Sequence, residues 1–167
     1  MSAITELEAQ ETEVLPLRGE YMRAQVQMLE DHLLALPKEQ QVFFDTLHDL
    51  SGGIYARTIF IPAGTRLTGA IHNKDHINVV VGDITVLTED GPQRLTGHFV
   101  LPTRAGMKRA GIAHADTIWT TLVRTDLTNI EEIEDEITPE SAKLQTRRND
   151  SCGSAALEAE QFEKLEH

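Results

Sequence analysis

The chain is short of cysteine, of aromatic side chains and of positive charge, and each shortage closes off a class of protein. A single cysteine, Cys152, excludes an internal disulfide and fits a reducing compartment. It lies in a polar tail, where a solvent-exposed spare thiol is the more ordinary reading than a nucleophile. No apolar run approaches the roughly 18–20 residues that a membrane span requires, so no membrane partner is expected. The first twenty residues are acidic and lack an apolar stretch, so no secretory leader is expected either. With 15 Lys and Arg against 27 Asp and Glu, the formal net charge is −12. Phosphate binding needs a basic stripe and none is visible, which argues against nucleic acid as a partner. G-x-S-x-G, a Walker loop and a dinucleotide fingerprint are also missing, so hydrolase, NTPase and Rossmann readings find no support.

What is present fits a globular protein. The 167 residues suit one domain with appendages, long enough for a core of roughly 100 residues. Hydrophobic residues make up 40% and charged residues 25%, while aromatics reach only 5%. Much of the acid is terminal, from Glu6 to Glu13, from Glu131 to Glu136 and in the tail. The middle is nearly balanced, and Arg57, Arg66, Lys74, Arg94, Arg104, Lys108, Arg109 and Arg124 could serve a small anionic ligand. The final Leu165-Glu166-His167 reads as an expression-tag scar.

Hydropathy patterning divides the chain. Residues 1–15 read as a flexible lead-in. From Glu20 to Leu36, apolar residues recur at near-helical spacing, and Pro37 stops the helix. A second helical piece is expected over Lys38 to Asp49, carrying Val42, Phe43, Phe44 and Leu47. Gly52-Gly53 then punctuates, and short β-type runs follow as far as Arg124. The expected runs are 54–61, ending at Pro62-Ala63-Gly64, then 77–81 turning at Gly82-Asp83 into 84–87. After a Glu89-Asp90-Gly91-Pro92 turn come 93–95, 98–101 ending at Pro102, 110–113 and 117–123. Short strands with frequent turn signals and no intervening helices describe a sandwich or small barrel, not a parallel sheet. Thr128 offers an N-cap to an acid-rich helix with Ile130, Ile133 and Ile137 on one face, its charges solvated. Ala155 to Phe162 is a weak helix candidate. The boundaries are therefore a helical prefix over 1–50, a barrel over 51–127, a C-terminal helix and flexible tail over 128–164, and the scar over 165–167.

The stretch from Thr65 to Gly111 is the most informative, and two further candidates, His114 and Asp116, follow it. His72 and His76 are four apart in a loop entering a strand, which can fold both rings toward one point. Asn78, two past His76, faces the same side of an extended strand. A divalent ion needs three or four such groups; imidazoles suit Zn, Fe, Ni or Mn, and His114 is the candidate third imidazole. The alternative is that the pair are hydrogen-bonding loop residues or lie at an oligomer interface. Arg109, entering a strand after a turn, can clamp a carboxylate or phosphate, or make an ordinary surface ion pair. Asp116 can orient a histidine or arginine, or simply form a turn. Trp119 and Phe99 read as core. His32, His48 and His98 receive no role.

Residues 54–124 resemble the cupin superfamily. The segments Tyr55-Ala56-Arg57-Thr58-Ile59-Phe60-Ile61-Pro62-Ala63-Gly64-Thr65, His72…His76-Ile77-Asn78 and Asp116-Thr117-Ile118-Trp119-Thr120-Thr121 are similar to cupin-like proteins encoded by bacteriophages and prophages. The resemblance implies a mainly β, small double-stranded β-helix, or jelly-roll barrel, with an α-helical N-terminal prefix and a C-terminal helix. It also implies a metal held by two histidine-bearing motifs. Gly69, His72, His76 and Gly82 follow the first motif, but as H-x3-H where cupins have H-x-H, with Asn78 near the expected glutamate. Pro102 and Gly106 follow the second, with Arg109 in the histidine's place and His114 five residues on. The expectation is a homo-oligomeric barrel binding a divalent metal or a small anionic molecule, in the cytoplasm of a bacterial host. The alternative is a non-catalytic accessory protein associated with the virion and with phage structural proteins. No enzyme activity is assigned.

Overall fold

Two thirteen-residue strands, β4 (His76–Thr88) and β5 (Gly91–Thr103), pair along their whole length and form the ribbon to which the other strands attach. The computed structural model describes residues 20–88 and 91–148. Along its other edge β4 changes partner: residues 77–81 pair with β7 (Thr117–Arg124), and residues 84–87 pair with β6 (Ala110–Ala113). Beyond β7 lie β2 (Ile54–Ile61) and β1 (Thr46–Ser51); beyond β6 lies β3 (Arg66–Thr68). Every pairing is antiparallel. The result is the mainly β architecture that the turn spacing predicts, as one curled sheet. Its ends, β1 and β3, do not pair with each other, so the barrel is a half-barrel and not closed.

The partner switch explains a difference from the sequence. Gly82-Asp83 reads as a turn between two strands, yet β4 runs straight through it. Gly82 has φ 144° and its cross-strand partner Gly97 has φ 98°, so both strands bend at one level without reversing. The approach there is close: a Cβ on Gly82 would meet the Thr117 side chain, with Thr117 Cα at 2.7 Å and Asp116 O at 2.8 Å. The expected strands 93–95 and 98–101 are likewise one strand. It continues past Pro102, which the ladder tolerates because β5 has a neighbour on one side only.

Residues 38–49 are not a second helix. A 3-10 turn, Lys38–Gln40, is followed by β1, which pairs with β2 through the two-residue Gly52-Gly53 link. Both glycines hold positive φ, 58° and 75°, as a tight hairpin needs. The apolar Val42-Phe43-Phe44 run lies in the link ahead of β1, and it is the pairing of residues 46–51 with β2 that makes a strand where a helix was expected. The sheet therefore begins inside the segment assigned to the helical prefix.

Helix α1 covers residues 20–35 and ends ahead of Pro37, as expected. Helix α2 (Ile130–Ile137) is capped by Asn129, not Thr128: Asn129 Oδ1 accepts from Glu132 N at 3.2 Å. Ile133 and Ile137 are buried against Tyr55 and Val123, whereas Ile130 is exposed. The acid run is not wholly solvated. Glu134 is 1% exposed and takes hydrogen bonds from Arg147 Nε and Thr146 Oγ1, both at 2.7 Å. Arg147 belongs to a short helix, α3 (Gln145–Arg148). The main core joins Ile61, Val80, Ile84, Val86, Leu95 and Ala113, with Trp119 and Phe99 packed against it as the sequence suggests. The lead-in, Cys152, the weak helix near 155–162 and the scar lie outside the described residues.

Register separates the two faces of the strands. One inner row runs His48, Arg57, Thr121, Asn78 and Leu101 across β1, β2, β7, β4 and β5. The outer face of β2, β7, β4 and β5 carries three successive rows. These are Phe60, Ile118, Val81 and His98; Thr58, Thr120, Val79 and Val100; and Ala56, Leu122, Ile77 and Pro102. No Asp, Glu, Lys or Arg occurs in those twelve positions.

Candidate functional site

The concave side of the sheet holds a cavity of about 580 Å³. Its floor is the inner face of β2, β7 and β4, and its far wall is made by α1 and the segment from Ile137 to Arg148. Strand alternation places Tyr55, Arg57 and Ile59 of β2 on this face, together with Trp119 and Thr121 of β7 and Asn78 of β4.

Asn78 is the centre of a buried polar network. Its Oδ1 accepts from Trp119 Nε1 at 3.0 Å and Thr121 Oγ1 at 2.8 Å, and its Nδ2 donates to Thr103 Oγ1 at 2.9 Å. Arg109 Nη1 donates to the same Thr103 oxygen at 2.9 Å. Such a network is rigid because each buried polar atom has a partner, and it fixes the direction in which Arg109 extends.

The histidine loop is stitched down on both sides. Asn73 N donates to Ile137 O at 2.7 Å, Gly106 N to His72 O at 2.8 Å, and Ile71 N to Glu140 Oε2 at 2.9 Å. His72 and His76 stack, with ring centroids 4.2 Å apart and planes at 30°. His76 Nδ1 donates to Lys74 O at 3.0 Å; His72 Nδ1 is buried with no partner. Burial, then His76, Arg57 and Arg109, push His72 down to about 4, and burial lowers His76 as well. Both rings are neutral at pH 7.

Two guanidiniums share this cavity. Arg109 is pushed below its ordinary value by burial. Arg57 is lowered by burial too, and its Nε is buried without a hydrogen-bond partner. No carboxylate pairs with either among the described residues. The acids at the cavity's edge are taken: Glu30 and Glu140 by Lys108 and Lys143, and Glu134 by Arg147. Tyr55 hydroxyl and His48 Nδ1 share a hydrogen bond of 2.7 Å beside Arg57, and burial raises the tyrosine and lowers the histidine.

The structure brings together four of the six residues singled out in the sequence: His72, His76, Asn78 and Arg109 all line the cavity. His114 does not join them. It sits in the exposed β6–β7 link, where its Nε2 shares a 2.7 Å hydrogen bond with Thr85 Oγ1. Asp116 lies in the same link and accepts from Ala63 N at 2.9 Å, a turn-forming role. The residue that sequence reasoning underrated is Arg57, noted only as one of several central cations. Its signal was position: in Tyr55-Ala56-Arg57-Thr58-Ile59 it occupies an inward alternation.

The residues present do not fit the divalent ion implied by the cupin resemblance. With His114 elsewhere, the remaining donors are two imidazoles and an amide oxygen already accepting two hydrogen bonds. No group of three or more His, Cys, Asp or Glu side chains able to hold a metal occurs among the described residues. Two guanidiniums in the same space also oppose a divalent cation.

Four charges close the far wall. Lys108 Nζ lies 2.9 Å from Glu30 and 2.7 Å from Glu140, and Lys143 bridges the same carboxylates. Burial alone would raise Glu140, but hydrogen bonds from Lys108, Ile71 N and Lys143 outweigh it and hold the carboxyl at about 2. Glu140 therefore stabilises the fold fully above its ordinary value near 4.5, and that contribution is lost as pH falls toward 2. His72, neutral when folded, adds a second window: stability falls between its ordinary 6.5 and about 4, where only the unfolded chain takes up the proton. Denaturant midpoints followed from pH 7 to pH 3 are expected to fall throughout. Glu140→Gln should flatten the lower part and His72→Gln the upper part; identical profiles for all three proteins would contradict both assignments.

No family model and no curated protein matches the sequence. Solved structures similar to it include a cupin superfamily protein from Desulfitobacterium hafniense DCB-2, at 17% identity and TM-score 0.42, covering 56% of this chain and 85% of that one. An ectoine synthase from P. lautus is similar at 20% identity and TM-score 0.42, covering 57% and 73%. The DMSP lyase DddQ from Ruegeria pomeroyi DSS-3 gives 20% and 0.42, covering 57% and 53%. Similarity of this size transfers no activity and no residue role.

Proposed function

We propose that this is a cupin-type half-barrel whose cavity binds a small organic anion, with the charged head on Arg57 and Arg109 and an apolar body beneath α1. What supports the reading is two guanidiniums facing one cavity with no carboxylate paired to either among the described residues. Burying a cation without a counter-charge is costly, so an anion arriving from solution gains more here than at an exposed arginine. The remaining lining favours an apolar body: Leu33, Leu67, Ile84, Val86, Met107 and Trp119 surround the space. A volume of about 580 Å³ falls within the usual size of a small-molecule site. Neutral His72 and His76 add hydrogen-bonding capacity without competing charge. No reaction is assigned.

Hexanoate, benzoate and phenyl phosphate, titrated by calorimetry against hexanamide and benzamide, test this. The anions are expected to bind and the neutral amides to bind far more weakly. Arg57→Leu and Arg109→Leu should each weaken anion binding by roughly 10–100-fold, the worth of a charge-assisted hydrogen bond. Equal binding of amides and anions, or unchanged affinity in both arginine variants, would sink the reading.

A further inference from the structure

We propose that the anion taken up by the cavity is a hydroxy acid, its hydroxyl donating a hydrogen bond to His76 Nε2 while its acid group sits on the guanidiniums. Such a ligand presupposes the anion site proposed above and narrows it to one chemical class. Lys74 O can only accept, so the 3.0 Å contact from His76 Nδ1 places the ring's proton on Nδ1. In a neutral imidazole the other nitrogen is then a bare acceptor. Burial holds His76 below its ordinary value, so the ring is neutral at pH 7.

No described residue donates to Nε2, and this atom is not sealed away as His72 Nδ1 and Arg57 Nε are. The ring lines the cavity, is 8% exposed and stacks on His72, whose carbonyl is held by Gly106 N, so the acceptor has a fixed direction. An acceptor in so sheltered a place gains from a partner delivered by the ligand. The neighbours select which partner. An ammonium is disfavoured, because Arg57 and Arg109 already bring two positive charges and that of Arg109 acts on His76. An amide N–H would bring a carbonyl needing a donor of its own. The donors of Asn78, Trp119 and Thr121, which line the same floor, are spent within the Asn78 network. A hydroxyl needs only what His76 offers.

Calorimetric titration of the full chain with ortho-, meta- and para-hydroxybenzoate, with benzoate and with the matching methoxybenzoates tests this. At least one hydroxybenzoate is expected to bind about tenfold tighter than benzoate, the worth of one hydrogen bond. Its methoxy counterpart fills the same space but cannot donate, and should show no such gain. His76→Phe keeps a ring to stack on His72 and removes the acceptor, so the preference for the hydroxyl over benzoate should vanish in that variant. Circular dichroism checks its fold, and the wild-type series stands without it. Hydroxybenzoates no tighter than benzoate, methoxybenzoates equally favoured, or a preference that survives in His76→Phe would each overturn the proposal and leave the anion site standing. Failure of benzoate itself to bind would remove the anion site, and the hydroxy acid with it.

Discussion

Gly82→Ala is expected to lower the free energy of unfolding by about 3–5 kcal/mol, among the largest losses from a single methyl group in this protein. Two costs add. At φ 144° a side chain strains the backbone, and the added Cβ would be driven into Thr117 Cα and Asp116 O, at 2.7 and 2.8 Å. Those atoms lie at the entrance to β7, which is held by Asp83: its amide N donates to Thr117 Oγ1 at 3.2 Å, and its carbonyl accepts from His114 N at 2.7 Å. Relief therefore requires moving backbone, not rotating a side chain. Gly97 is the control. It shares the level of the bend, with φ 98°, but has open space where a Cβ would stand. Gly97→Ala should cost only the conformational term, about 1–2 kcal/mol. Urea unfolding of both variants separates the contributions. Equal losses would show that the close approach contributes nothing.

Lys108→Met should cost about 3 kcal/mol. The ammonium is 1% exposed and lies between Glu30 and Glu140. Deleting it leaves two largely buried carboxylates facing each other, and breaking a buried pair by removing one partner typically costs about 3–5 kcal/mol. The lower figure applies because Lys143, itself 42% exposed, still reaches both acids. Adding Glu30→Gln to Lys108→Met should recover part of the loss, because the second change relieves the repulsion that the first creates. A loss below about 1 kcal/mol in urea, or no recovery in the double variant, would mean that the cluster is solvated and stabilises nothing.

The predicted β-architecture, the first helix and the break at Gly52-Gly53 were legible because each rests on local pattern, though the hairpin that those glycines make was not. Alternation, a prolyl stop and a double glycine need no knowledge of distant residues. The bend at Gly82 was not legible as a bend: Gly-Asp between apolar runs is also what a turn looks like. Only the approach of Thr117, thirty-five positions away, makes the glycine a point of contact. The stretch before Gly52 misled for a similar reason, since Thr46–Ser51 becomes a strand by pairing with β2. In the candidate site, spacing brought His72, His76 and Asn78 to attention, and all three line the cavity, Asn78 through strand register and His72 through the hydrogen bonds of its loop. His114 entered as the third imidazole that a divalent ion would need from a distant strand, and the chain turns it toward Thr85. Arg57 was hidden because composition counts charges without saying which way they face.

The shared ribbon also bears on how the molecule assembles. Thirteen residue pairs of β4 and β5 are linked through only residues 89–90, so bringing those strands together sacrifices little chain entropy. The Glu30–Lys143 bridge joins positions more than a hundred residues apart and can form only after the sheet has brought its surroundings together. Local opening would follow the same hierarchy, with the helical cover detaching at lower free energy than the ribbon beneath it. Access to the interior would then need only a partial loosening, leaving Arg57 on β2 and Arg109 at the entrance to β6 undisturbed.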